Sequence, residues 1–194
     1  MRDKYSDIVK ELTDRELLFH LYLTQLLLLV ISLILGFLLF DSFSDFTALF
    51  NWADINIIMI GGTAGIIVVL IDLALMRVLP SSYYDDGGLN NKIFRSPSLF
   101  QIAFITMLVA FSEEILFRGV IQTNFGLIVS SIIFALVHYR YLFNWFLFLN
   151  VVLLSFLIGF VYYFTENLVV TILMHFIIDF LLGMSIKYRN QYNR

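Results

Sequence analysis

Apolar residues fill this chain in long, nearly unbroken runs rather than at the intervals of a half-buried helix or strand. The first run covers 17–40 and the second 55–79. Each matches the length of helix that crosses about 30 Å of hydrocarbon at about 1.5 Å per residue. The stretch 81–91 is polar and glycine-bearing and reads as a loop, after which Ser96-Pro97 looks like a helix start with proline at the first helical position. A third span begins there, a short fourth is expected over 125–138, a fifth over 143–164 and a sixth over 168–186. The pattern predicts an all-α, polytopic membrane bundle of about six transmembrane helices. Residues 1–16 are of mixed charge and are expected to form a cytoplasmic amphipathic segment ahead of a single membrane-embedded domain over 17–194. The first run is too long for a signal-peptide core and lacks a small-residue cleavage site, so it is expected to be retained.

Composition agrees. Hydrophobic residues make up 60% of the 194 and charged residues 14%, against about 25% charged in a soluble domain. A net charge of -3, with no basic cluster, points away from nucleic acid, and zero cysteines exclude disulfides, thiolate metal ligands and a cysteine nucleophile. Of the basic residues, all but Arg118 fall in or beside segments that are cytoplasmic if both termini are inside. The loops on the other side, 41–54 and 165–167, carry acids and no bases. The positive-inside rule therefore places both termini in the cytoplasm.

The exception is the informative part. Glu113, Glu114 and Arg118 interrupt a run otherwise fit for lipid, where one central charge costs about 2.5–3.5 kcal/mol on insertion scales. Glu114 and Arg118 stand four apart in the favoured order, so they are expected to neutralise each other on one helix face. Glu113, rotated by about 100°, is left free to act as a base. Alternatively the cluster only staples helices together. His138 ends the fourth run, and a single histidine there is by itself no evidence of function. His175 and Asp179 share one face of the sixth run, an arrangement in which an acid fixes the tautomer of an imidazole, or simply spares itself from lipid. His20 has no such companion and reads as interfacial.

Glu113-Glu114-x-x-x-Arg118-Gly119, Phe134-x-x-x-His138 and His175-x-x-x-Asp179 together resemble the three ordered motifs of the CPBP (Abi) intramembrane proteases. That family includes the CAAX prenyl endopeptidases and bacterial relatives linked to bacteriocin immunity. The match covers about residues 97–184. The third motif often ends in asparagine, whereas this chain has Asp179. The resemblance implies that Glu113, helped by His138, activates water, and that His175 and Asp179 face the tetrahedral intermediate, with Glu114 and Arg118 shaping the site. It also implies a membrane-associated peptide or protein substrate, either prenylated or a bacterial peptide, and a multi-pass location in a bacterial cell membrane. Glu113, His138 and His175 would alternatively make a zinc set with an open position for water. The metal-free version is preferred. The non-catalytic alternative is an immunity or scaffold protein of the same fold, and a small proton-coupled transporter is a third reading.

Depth poses a problem for this site. A helix entering at Pro97 carries Glu113 about 24 Å along its axis, while His138 closes the fourth span at the inner side. Straight spanning helices would keep the two apart, so the 119–126 stretch is expected to turn back inside the membrane. Asp72 is a further intramembrane acid, with Arg77 poorly placed to pair with it. Gly61 and Gly65 have the spacing of close helix packing, and Asn150 is suited to bonding across helices.

Overall fold

The computed structural model describes residues 11–192, and the residues it describes are helical or loop, without strands. Helix α1 (Asp14–Leu39) starts from a capping box in which the Thr13 hydroxyl and the Glu16 carboxylate each take the other's backbone N–H. The end of the expected amphipathic segment is thus already the first turn of a spanning helix, and residues 1–10 lie outside the described residues. A short α2 (Phe43–Ala48) leads to a π-helical turn, Ile57–Gly62, that runs into α3 (Thr63–Val78). After α4 (Leu89–Phe94) comes α5 (Leu99–Glu114), continued by a second π-helical stretch, Ile115–Gln122. The last elements are α6 (Thr123–Val137), α7 (Trp145–Thr165) and α8 (Leu168–Tyr192).

The α5 start differs from the expected one by two residues. Ser98, not Ser96, is the N-cap, because it has Gln101 three positions on to complete a capping box. Ser96 instead donates its hydroxyl to Asp14, which also holds Arg95 at 3.0 Å.

Five helices are long and apolar enough to cross a membrane: Asp14–Leu39, Ile57–Val78, Leu99–Val137, Trp145–Thr165 and Leu168–Arg189. The third of these, 39 residues long, holds both the third and the fourth expected spans. It is a hairpin. Gly126 breaks it with φ 83° and ψ 169°, a backbone region that is essentially glycine's alone. Before the break, Arg118 and Gln122 bond to Ser155 and Gly159 of α7 in rising order. After it, Leu127 lies at Gly159 and Ser131 at Ser155, in falling order. The second limb therefore runs antiparallel to the first. From Leu127 to Val137 it covers only about 16 Å, too short to cross alone, and a 3-10 turn, Tyr139–Phe143, completes the return. Five helices qualify by length rather than six, yet the chain still makes six passes between two ends.

Those ends are tied differently. At one, Arg95 pairs with Asp14, Lys187 donates to the Pro97 carbonyl, and the Asn144 amide donates to the carbonyls of Ser82 and Tyr83. At the other, the Asn167 amide donates to the Asn51 carbonyl at 2.8 Å and to Asp54 at 3.1 Å, and Leu168 N–H donates to the Leu49 carbonyl. Hydrogen bonds from the Asn56 backbone and the Asn167 side chain hold the Asp54 carboxyl below its usual range.

Close packing of α3 on α8 sets the position of the sixth pass. A Cβ at Gly61 would lie 2.4 Å from the Val170 carbonyl oxygen, and one at Gly65 would lie 3.0 Å from that of Met174. Val69, Ile158, Met174 and Ile178 fill the core between α3, α7 and α8. The outer faces are apolar and uncovered, as Phe37 at 88% exposure and Leu33 at 71% show for α1. Such a surface belongs in lipid, and the molecule is an integral membrane protein.

Candidate active site

The last turn of α5 carries Ser112, Glu113 and Glu114, and all three are buried. Their placement starts one layer out. The Ser112 hydroxyl donates both to the Leu108 carbonyl and, at 2.5 Å, to the side-chain oxygen of Gln25 on α1. Directly after Glu114 the helix widens to i→i+5 bonding, a local distortion common at functional sites. Arg118 lies inside this widened stretch at 1% exposure. Its Nη2 donates to the Ser155 carbonyl at 3.0 Å, and its guanidinium carbon stands 4.7 Å over the Phe134 ring.

Glu114 is fully buried, and its Oε1 is 3.5 Å from Arg118 Nη1, the i to i+4 pairing expected from the spacing. The same oxygen also accepts from His175 Nδ1 at 2.8 Å. Glu114 thus joins the third and sixth passes. It fixes the tautomer and plane of His175, a role the spacing assigned to Asp179. With Nδ1 so held, Nε2 faces Asp179 Oδ2 at 3.5 Å and Glu113 Oε2 at 4.0 Å. A 4.0 Å gap is too long for a direct hydrogen bond and of a size that a bridging water closes. The resulting unit is one imidazole oriented from one side by a buried carboxylate and facing two further carboxylates on the other.

Glu113, Glu114, Arg118, His175 and Asp179 are therefore brought together. His138 is not in contact with them. Its ring stacks on Phe134 at 4.5 Å and on Tyr141 at 6.3 Å, with Nδ1 2.8 Å from the Phe134 carbonyl oxygen. Its level along the bundle is nonetheless close to that of the glutamates. The Ser130 hydroxyl donates to the Phe117 carbonyl, so two helical turns further along the returning limb His138 falls level with the last two turns of α5. The short returning limb, which ends partway down, narrows the depth gap, with the reversal at Gly126, inside the expected 119–126 stretch. Among the described residues, no group of three His, Asp or Glu side chains stands close enough to hold a metal ion. As they are arranged, Glu113, His138 and His175 do not fit a zinc ion.

Gln25 and Ser155 escaped the sequence reading. Gln25 had a signal, being an amide inside the first apolar run. Ser155 works through its backbone carbonyl, which carries no sequence signal at all.

Comparison with known proteins identifies the family. The family described as type II CAAX prenyl endopeptidase Rce1-like matches residues 95–181, a range that holds Glu113, Glu114, Arg118, His138, His175 and Asp179. An uncharacterized protein of Bacillus subtilis (strain 168), YpbD, is 44% identical over 168 residues, 87% of this chain and 89% of that protein. The UPF0177 protein YxdF of Lactococcus lactis subsp. lactis is 32% identical over 120 residues, 59% of this chain and 66% of that one. No solved structure matches the chain. Buried acids, the histidine they orient and the span that is matched lead to one assignment: the chain belongs to the Rce1-like family of type II CAAX prenyl endopeptidases.

Proposed function

We propose that the protein is an intramembrane endopeptidase that hydrolyses a peptide bond by glutamate-activated water. The observation that carries this reading is the pair of contacts made by His175, Nδ1 to Glu114 at 2.8 Å and Nε2 towards Glu113 at 4.0 Å. In this mechanism Glu113 takes a proton from a water held between its carboxylate and the imidazole, and the hydroxide forms a bond to the carbonyl carbon. His175, protonated on both nitrogens, keeps one N–H on Glu114 and gives the other to the oxyanion, a preorganised electrostatic contribution. Collapse of the tetrahedral intermediate breaks the C–N bond, and Glu113 returns its proton to the leaving amine. Asp179, 3.5 Å from Nε2, holds the ring in line before substrate arrives. Arg118, 3.5 Å from Glu114, pairs with its carboxylate, and His138 lines the approach from the returning limb.

The substrate on this reading is a membrane-associated peptide, prenylated or of bacterial origin, and the bacterial relatives support a location in a bacterial cell membrane. The test is hydrolysis of internally quenched peptides, with and without a farnesyl group, by the purified full-length protein. Glu113→Gln is expected to lower the rate by about 10²–10⁴, and His175→Ala comparably, with membrane levels unchanged. Full activity in Glu113→Gln sinks the mechanism. Wild-type protein that cleaves neither peptide, yet confers protection against a bacteriocin, favours the non-catalytic immunity reading.

A further inference from the structure

A cavity of about 820 Å³ lies between α3, α7 and α8, closed at one end by the polar loop 81–91. Its walls are apolar, with Leu154, Leu157 and Leu182 among them. Three polar groups of the lining stand out because they have no partner. Asp72 makes no hydrogen bond or ion pair among the described residues, and neither does the Asn150 side chain. The Tyr84 phenolic oxygen is buried without a hydrogen-bond partner. A half-buried carboxylate in an apolar span is costly unless something neutralises it.

The cavity is also continuous in register with the candidate active site. On α8, His175, Asp179, Leu182, Ile186 and Arg189 follow at steps of four and three, so they share one face within about 80° at about 100° per residue. The last three of these line the cavity. Gly65 lies against Met174, and the two helices run side by side in the same direction, so Asp72 comes level with Leu182. That is about 10 Å along α8 from His175, a distance an extended peptide covers in about three residues.

We propose that this cavity is a subsite for a lysine side chain of the peptide substrate, placed within about three residues of the cleaved bond. The apolar walls take the aliphatic stem, while Asp72 accepts from the ammonium group, with Tyr84 and Asn150 supplying further acceptor oxygens. This inference rests on the protease reading for the identity of the occupant, whereas the binding itself does not require catalysis.

The experiment uses the full-length protein in nanodiscs of zwitterionic lipid and two dansyl-labelled apolar heptapeptides, identical except for a central lysine or norleucine. Fluorescence anisotropy is expected to show the lysine peptide binding at least about tenfold more tightly, the least that a charge-assisted hydrogen bond contributes. Asp72→Asn, nearly isosteric, is expected to erase that preference. Glu113→Gln is expected to keep it, so a failed mechanism and a failed subsite give different results. Equal binding of the two peptides to the wild-type protein, or a preference that survives Asp72→Asn, overturns the proposal. If Asp72→Asn does not reach the membrane, Asn150→Leu carries the same test, with a reduced preference expected and an unchanged one overturning it.

Discussion

Adjacent glutamates of the same chemistry do different work because the helix points them at different neighbours. Glu114 is shared between Arg118 and His175 and has no exposure, whereas Glu113 stands 4.0 Å from the opposite edge of the same imidazole. The guanidinium is what makes a buried carboxylate tolerable at this depth. Arg118→Met is therefore expected to destabilise the protein by about 3–5 kcal/mol, since it strands Glu114 as an uncompensated charge. Adding Glu114→Gln removes that charge while leaving an oxygen for His175 Nδ1. The double variant is expected to recover at least about 1 kcal/mol relative to the sum of the two single changes. Thermal unfolding of the four proteins in one detergent measures the cycle, and simple additivity would show that the pair is not coupled. The cost of charge in lipid made Glu113, Glu114, Arg118, His175 and Asp179 visible in the sequence. Partnership across helices was not visible, because spacing reports only neighbours on one helix. That is why Asp179 looked like the acid orienting His175, while Glu114, 61 positions away, makes the shorter contact.

At the scale of elements, the decisive device is a hairpin that hydropathy does not reveal. Both its limbs are apolar, so a hydropathy profile cannot tell a reversal from a continuation. The reversal was expected within 119–126 from the depths of Glu113 and His138, whereas Gly126 itself is a weak signal, glycine being common in membrane helices. Gly126→Ala tests its role cleanly, since a Cβ there would meet no atom within 4 Å and any effect must come from the backbone at φ 83°. A destabilisation of about 1–3 kcal/mol is expected, with loss of activity exceeding loss of folded protein, because His138 and Phe134 both hang from the returning limb. Unchanged thermal stability would mean that the turn has another way to close. The π-helical stretch after Glu114 was equally illegible, because its residues are ordinary helix formers and the widening appears only in the i→i+5 bonds. By contrast, α7 and the start of α8 follow directly from run length, ending within about two residues of the expected bounds.

For the whole molecule, the ends of the bundle separate charge. The end tied by Arg95–Asp14, Lys187–Pro97 and Asn144 carries nearly all the basic side chains near the spans, and the end tied by Asn167, Asn51 and Asp54 carries acids. Six passes return the chain to the end where it started, so the positive-inside rule predicts the basic end in the cytoplasm. The sequence contains no cysteine, which makes it a clean background for single reporters. Ser44→Cys, in the exposed part of α2, is expected to react with a membrane-impermeant maleimide on intact cells. Ser82→Cys, in the loop at the opposite end, is expected to react only after permeabilisation. Reaction of both on intact cells would break the parity of six passes, and the reversed pattern would invert the orientation. The outcome bears on substrate as well. The cavity lined by Asp72 meets the loop 81–91 at the basic end, so an inward-facing basic end puts the proposed lysine subsite on the cytoplasmic side of the candidate active site.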